Sequence, residues 1–230
     1  MTTAAELARS HWNETPLFLS AEERYRIYPW LYKAAEFRHH AGHKVLEIGC
    51  GTGCDLLQFA KHGAEAYGID ITEEHLRLAK QRVGDLANVR YSDARSIPFP
   101  DATFDYVYSH GVIHHSDEPQ RIAAEILRVL KPGARFNVHV YSLLSLWPLY
   151  KMILHGGKWR EFIENSHGPV HIDLYTKSRV RKLFSGIPLS FSKYHAPCMQ
   201  WAGRWIGWFL VAKGEKPGQR RVLGRERAER

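Results

Sequence analysis

The sequence predicts an α/β fold built on a doubly wound sheet. Three observations carry this. Short apolar runs alternate with amphipathic helical stretches from Lys44 onward, a turn with three glycines follows the first run, and a single carboxylate ends the second. Strand–helix–strand alternation implies parallel pairing through right-handed crossovers. Ligands of such sheets bind outside the carboxyl ends of the strands, which here means just after Ile48, Ile69, Tyr91, Tyr108 and Tyr141.

Residues 1–42 read as a helical segment in which Trp12, Tyr25, Tyr28, Trp30, Tyr32 and Phe37 alternate with charged residues, and Pro29 should break or restart a helix. Residues 45–48 form a short apolar run ending in glycine, hence a buried strand. A helix follows over 55–62, with Gly63 as its C-cap. Residues 66–69 are the second strand. Thr72 can then cap a helix that has Glu73 and Glu74 in its first turn and Leu76, Ala79 and Val83 on one face. Strands three and four fall at 88–91 and 104–108. Pro119 opens a further helix, with Ile122, Ile126, Val129 and Leu130 inward, and Lys131-Pro132-Gly133 ends it. In the fifth strand, 134–141, Phe136, Val138 and Val140 alternate with Asn137, His139 and Tyr141. Residues 142–176 read as an irregular aromatic insertion, 177–184 as a short helix, and 189–195 and 205–212 as the last strands. The organisation expected is an N-terminal helical lid and substrate segment (1–42), a main domain (43–213, with the insertion at 142–176 as a lid) and a basic polar tail (214–230).

The bulk numbers fit one such unit. A chain of 230 residues with 44% hydrophobic residues can bury a sizeable core. No stretch approaches the ~20 apolar residues of a spanning helix; the longest, 143–154, carries Ser145, Pro148 and Lys151. The first residues lack the basic and apolar regions of a secretory signal, so a cytoplasmic protein is expected. Cys50, Cys54 and Cys198 are too few and too odd in number for a disulfide framework and fit a reducing compartment. Cys50 and Cys54 lack a partner pair, so no metal site is expected. The net charge of +8 raises the question of a polyanionic partner. Half of it, however, lies between Lys213 and Arg230, where a solvated tail accounts for it.

The turn Glu47-Ile48-Gly49-Cys50-Gly51-Thr52-Gly53 puts glycines at alternate positions, so no Cβ would keep a ligand from the backbone there, and the helix that follows offers amides to an anionic group. The dinucleotide fingerprint would need glycine or alanine at position 54, which is Cys, and no Lys–Ser/Thr pair makes a P-loop. Asp70, at the end of the second strand, can accept hydrogen bonds from both hydroxyls of a ribose, and Asp93, after the third, from an exocyclic amine such as that of adenine. A ribose and an adenine with no demand for pyrophosphate describe an adenosyl ligand.

Residues 45–55 (VLEIGCGTGCD), 67–72 (YGIDIT), 92–94 (SDA), 104–115 (FDYVYSHGVIHH) and 127–133 (LRVLKPG) follow, in order and spacing, the motifs of class I S-adenosylmethionine-dependent methyltransferases. Within that family the chain most resembles the ubiquinone-biosynthesis-like small-molecule enzymes, strongly over 43–141 and weakly elsewhere. The resemblance implies a seven-stranded, mostly parallel sheet with the last strand antiparallel. It also implies S-adenosyl-L-methionine as cofactor and S-adenosyl-L-homocysteine as product. Glu47, Gly49, Cys50, Gly51 and Gly53 would line its methionine part, Asp70 would hold the ribose and Ile71 would pack on the adenine. Asp93 and Ala94 would meet the adenine edge, and Ser109 and His110 would close over the methionine and sulfonium.

The reaction such a site supports is in-line displacement at the sulfonium methyl by an O or N atom of a small organic acceptor. It needs a nucleophile held about 3 Å from the methyl carbon and water kept out. If the acceptor must lose a proton, a base is required. The candidates are His110, His114 and His115 after the fourth strand and Tyr141 at the end of the fifth, with His139, His167 and His171 more readily read as packing or surface residues. Tyr25, Tyr28 and Trp30 in the first segment and Trp147 in the insertion, with Tyr150, Trp159 and Phe162 beside it, are candidates for the acceptor pocket. Two rival readings are a nucleic-acid methyltransferase and a non-catalytic S-adenosylmethionine-binding regulatory protein. Base-amino methylation calls for an Asn/Asp-Pro-Pro-aromatic motif where this chain has Ser109-His110-Gly111-Val112, and no basic domain is appended, so a nucleic-acid partner is not expected. The chain is expected to act as a monomer or homodimer.

Overall fold

The computed structural model describes residues 4–14, 20–158, 171–194 and 207–218. Its strands are β1 (Lys44–Ile48), β2 (Glu65–Asp70), β3 (Ala87–Tyr91), β4 (Phe104–His110), β5 (Leu130–Tyr141), β6 (Leu189–Tyr194) and β7 (Phe209–Glu215), in one sheet ordered β3-β2-β1-β4-β5-β7-β6. The first five pair in parallel, and β7 runs antiparallel to both β5 and β6. The doubly wound, mostly parallel sheet with an antiparallel last strand is therefore present.

β1 is apolar on both faces because both faces are covered. Leu46 and Ile48 pack with Phe104, Val107 and Phe136 in one core, which takes Ile122 and Ile126 from helix α6 (Pro119–Val129) and Val180 from α8 (Lys177–Leu183). Val45 faces the other core, with Leu56 and Phe59 of α4 (Cys54–Lys61) and Leu76 and Val83 of α5 (Glu73–Val83). That second core also holds Phe37 and, at its edge, Tyr25 and Tyr32.

The N-terminal segment is helical as read: α1 (Ala4–Glu14), α2 (Ala21–Ile27) and α3 (Leu31–Ala34), with the break at Tyr28–Trp30 around Pro29. Ser20 and Glu23 form a reciprocal capping box at the start of α2. The segment is tied to the sheet from behind. Asn137 Nδ2 donates to the Ala34 carbonyl at 2.8 Å, and the Tyr106 hydroxyl donates to that of Ala35 at 3.2 Å.

Several expectations are corrected. The Lys131-Pro132-Gly133 breaker lies inside β5, which starts at Leu130. The ladder with β4 is irregular between Phe104 and Tyr106, and Gly133 takes φ +78° there, so the breaker bends the strand instead of preceding it. The last strand is shifted to Phe209–Glu215; Trp205 lies outside the described residues. The insertion is not wholly irregular: α7 (Leu146–His155) occupies it, capped by the Ser145 side chain, which accepts from Trp147 N. Trp159, Phe162, His167 and Cys198 lie outside the described residues. Thr72 stands at the N-cap of α5 without a side-chain capping bond, and its own amide donates to Asp70. The start of the basic tail is sheet: Lys213 reaches Glu36 at 3.0 Å, and Lys216 N bonds the Ala134 carbonyl. Residues 219–230 lie outside the described residues. No described helix is long and apolar enough to cross a membrane.

Candidate functional site

The carboxyl ends of β1, β2, β4 and β5 border a cavity of about 280 Å³, also lined by Trp12 of α1, Arg24 of α2 and Tyr28 at the end of α2. The glycine turn forms one wall. Gly49, Gly51 and Gly53 all take positive φ, at +68°, +50° and +79°, conformations costly to residues with a Cβ. Their reasons differ, which corrects the uniform reading of the three. A Cβ on Gly49 would lie 2.1 Å from Val112 Cγ2, and one on Gly53 would lie 3.2 Å from Ala79 and Val83, so both are small to let other elements pack. Only Gly51 has nothing within 4 Å, leaving it open to the cavity.

Three of the turn's amides are spent on the end of the second strand. Gly49 N and Cys50 N both donate to the Ile69 carbonyl, at 2.8 and 3.0 Å. Gly51 N donates to Asp70 Oδ2 at 2.9 Å and Thr72 N to Asp70 Oδ1 at 2.9 Å. The Asp70 carboxylate is thus fixed at the end of β2, with His75 Nδ1 3.7 Å from Oδ1, and each oxygen accepts one amide bond where it has capacity for two. Asp93 is more heavily engaged. Arg95 donates to both of its oxygens from Nε, again to Oδ1 from the backbone and to Oδ2 from the guanidinium, then continues to Glu118 at 2.6 Å. Against the effect of burial, these bonds hold the Asp93 carboxyl below its ordinary range.

Two buried carboxylates lie behind the turn and behave oppositely. Asp55 accepts from Arg24 at 2.8 and 2.6 Å, from the Tyr25 hydroxyl at 2.8 Å and from that of Tyr108 at 3.0 Å. Burial alone would raise its pKa; Arg24 and the hydroxyls overcome that and lower it. Glu47 has a backbone bond from Leu56 but no ion pair of its own among the described residues. Its Oε2 is buried without a hydrogen bond among the described residues, and burial, with Asp55 and Asp70 nearby, pushes its carboxyl well up. A carboxyl raised in the folded state destabilises as pH climbs above its unfolded value of about 4.3, because the unfolded chain then releases a proton that the folded chain keeps. Glu47→Gln should therefore melt higher than the parent at about pH 8, by about 2–4 °C for each kcal/mol gained, with the gap closing toward about pH 4. An unchanged gap across that range in thermal melts would show that Glu47 finds its own partner.

The expected site residues are distributed unevenly around the cavity. Cys50, Ile71, Ala94, His110, His115, Tyr141 and Tyr28 line it with the turn and Asp70. Ser109 is fully buried one step away, its hydroxyl without a partner among the described residues. His114 lies behind the wall, stacked on Tyr141 with ring centres 3.7 Å apart. His115 Nδ1 faces the His171 carbonyl at 2.9 Å. Tyr25 is committed to Asp55, Trp30 stacks on Tyr194 at 4.6 Å, and Trp147 lies on α7 beside Lys151. Trp12, Arg24, His75, Val112 and Phe209 also line the cavity and were not anticipated. Arg24 sits in AEERYRI, which reads as a solvated helix face; only its pairing with Asp55, 31 residues on, brings it inward. No group of three or more His, Cys, Asp or Glu side chains among the described residues is arranged to hold a metal ion.

Comparison with known proteins agrees with the motifs. Residues 46–138 match the family model described as a methyltransferase domain. Over 110 residues the chain is 36% identical to the uncharacterized methyltransferase YcgJ of Bacillus subtilis, covering 46% of this chain and 43% of that one. It is 35% identical over 110 residues to the 27-O-demethylrifamycin SV methyltransferase of Amycolatopsis mediterranei, covering 45% and 40%. The chain thus spans less than half the length of these relatives. Among solved structures, PH0226 of Pyrococcus horikoshii superposes with a TM-score of 0.67 at 23% identity, over 90% of this chain and 98% of the other, a likeness of fold.

Proposed function

We propose that this chain, whose residues 46–138 match the model of a methyltransferase domain, is a class I enzyme that uses the cavity to bind S-adenosylmethionine and to pass its methyl group to a nucleophilic atom of a small organic acceptor. The observation that carries the reading is the convergence, on one cavity, of three groups suited to different parts of that molecule. Asp70 has lone pairs for the ribose hydroxyls, Gly51 leaves open space against bare backbone, and Glu47 holds a buried acceptor without a donor, a fit for the ammonium of the methionine part. Ile71, Ala94 and Ile122 supply apolar wall for the adenine. Asp93 is the least available of the expected contacts, since Arg95 occupies its lone pairs.

When bound, the cofactor supplies an electrophilic methyl carbon on a sulfonium. What the chain contributes is position and dryness. Trp12, Tyr28, Val112 and Phe209 surround the remaining space with apolar surface, and holding the acceptor in line can supply about 7–11 kcal/mol of the barrier.

Titration calorimetry with S-adenosylhomocysteine tests the reading. The full chain should bind it, and Asp70→Ala should bind at least about tenfold more weakly, the loss expected when hydrogen bonds to a charged acceptor, worth about 1.5–3 kcal/mol each, are removed. Unchanged affinity in the variant would remove the ribose assignment, and no binding by the parent would remove the cofactor.

A further inference from the structure

A line of hydrogen bonds runs from the cavity through the sheet to the N-terminal segment. His110, the last residue of β4, pairs in register with His139 of β5. Their Nδ1 atoms are 2.8 Å apart. His139 Nε2 lies 3.0 Å from Asn137 Oδ1, two residues earlier on the same face of β5. Asn137 Nδ2 donates to the Ala34 carbonyl at 2.8 Å and to the Tyr106 hydroxyl at 3.0 Å.

The proton positions follow from the far end. The Ala34 carbonyl can only accept, so the Asn137 atom facing it is the amide nitrogen. The other amide atom is then an oxygen, which also can only accept, so His139 carries its proton on Nε2. Burial pushes the His139 imidazole down to about 3, so the ring is neutral and its Nδ1 is bare. A bare Nδ1 at 2.8 Å must receive a proton donor, so His110 donates from its own Nδ1. Burial lowers His110 as well, with Arg24 and His139 adding to the effect. A neutral ring protonated on Nδ1 carries its lone pair on Nε2. His110 lines the cavity, and the one hydrogen bond its ring makes among the described residues is that of Nδ1 to His139. Phe209 stacks on the ring at 4.8 Å and 26°, and Tyr28, 6.3 Å from the ring and 5.6 Å from Phe209, packs beside that pair.

We propose that His110 takes the proton of the methyl acceptor through Nε2, that His139 and Asn137 are positioning residues holding it in the Nδ1–H tautomer, and that the acceptor is therefore a protic nucleophile, a hydroxyl or an amine bearing hydrogen. This rests on the cofactor reading above. In the step, the acceptor's oxygen or nitrogen lone pair forms the bond to the sulfonium methyl carbon, the carbon–sulfur bond breaks with its electron pair going to sulfur, and the acceptor's proton moves to His110 Nε2. The Nδ1 proton stays where it is, facing a bare nitrogen before and after, so nothing behind His110 has to rearrange. A weak base suffices: the acceptor's proton becomes far more acidic as its heavy atom gives electron density to carbon, and His110 need only be present late in the transfer. Base assistance of this kind is worth about 10²–10⁴-fold.

The test is spectroscopic and needs no acceptor. Long-range proton–nitrogen correlation spectra of the full chain at about pH 7.5 should show His110 protonated on Nδ1 with Nε2 bare, and His139 protonated on Nε2. In His139→Phe the His110 Nε2 signal should move toward that of an N–H as the lock is lost, while S-adenosylhomocysteine affinity stays within about threefold of the parent. A parent spectrum with His110 protonated on Nε2 overturns the proposal even if the variant does not fold, because that atom could then accept nothing. An unmoved His110 signal in a folded His139→Phe overturns the positioning role. Failure of the parent to bind S-adenosylhomocysteine, with the tautomers as stated, would instead strike the cofactor reading on which the proposal stands.

Discussion

Asp55→Ala is expected to destabilise the fold by about 3–5 kcal/mol, the cost of removing one member of a buried charge pair. The Asp55 side chain is fully buried and its four acceptor positions are filled by Arg24 twice, Tyr25 and Tyr108. Alanine leaves a guanidinium that is only 17% exposed and removes the carboxylate acceptor of the Tyr25 and Tyr108 hydroxyls. For a chain of this length each kcal/mol is about 2–4 °C in melting temperature. The drop should shrink in acid: Asp55 has a lowered carboxyl, so its contribution is complete above the unfolded value of about 3.9 and is lost as pH falls through the folded one. The double replacement Arg24→Leu with Asp55→Leu should recover much of the loss, since an apolar pair of similar volume is often as stable as a buried ion pair. A single variant within about 1 kcal/mol of the parent in denaturant titrations would mean that water reaches this network.

Gly51→Val is expected to abolish binding of S-adenosylhomocysteine, weakening it by more than about 100-fold, or about 2.7 kcal/mol. Gly51 takes φ +50° and a Cβ there would meet no protein atom, so the two methyl groups would extend into the cavity. Gly53→Ala is the contrast. Its Cβ would press at 3.2 Å on Ala79 and Val83, between α4 and α5, so it should lower the melting temperature and leave affinity nearly intact. Calorimetry and thermal melts on the two variants separate the cases. Normal affinity in Gly51→Val would show that the ligand lies elsewhere.

The frame of the molecule was legible because its signals are local. The apolar run 45–48, the glycines after it, Asp70 at the end of the next run and Pro119 at the head of a helix each act through neighbouring residues, and each stands where it was expected. The errors have the same explanation. Lys131-Pro132-Gly133 is a strong local breaker, but pairing of Leu130 with Phe104 draws it into a strand. What joins the site could not be read at all. Arg24 looks like one charge among four in a solvated turn of helix, and Asp55 like an ordinary first-turn acid. His110 and His139 meet only because the register of β4 on β5 aligns them, and a shift of one residue would send His139 and Asn137 to the opposite face.

The way residues 20–39 are fastened bears on how this protein can be handled or shortened. Take them away and Asp55 loses its counter-ion, Asn137 its main-chain acceptor and Tyr106 the Ala35 carbonyl, while Phe37 leaves a hole in the rear core. Each stranded polar group costs about 1–3 kcal/mol, and a whole domain commonly has only about 5–15 to lose. Cutting the chain just before the first strand would thus yield insoluble material, not a minimal catalytic fragment, and any fusion partner or affinity handle belongs ahead of Ser20.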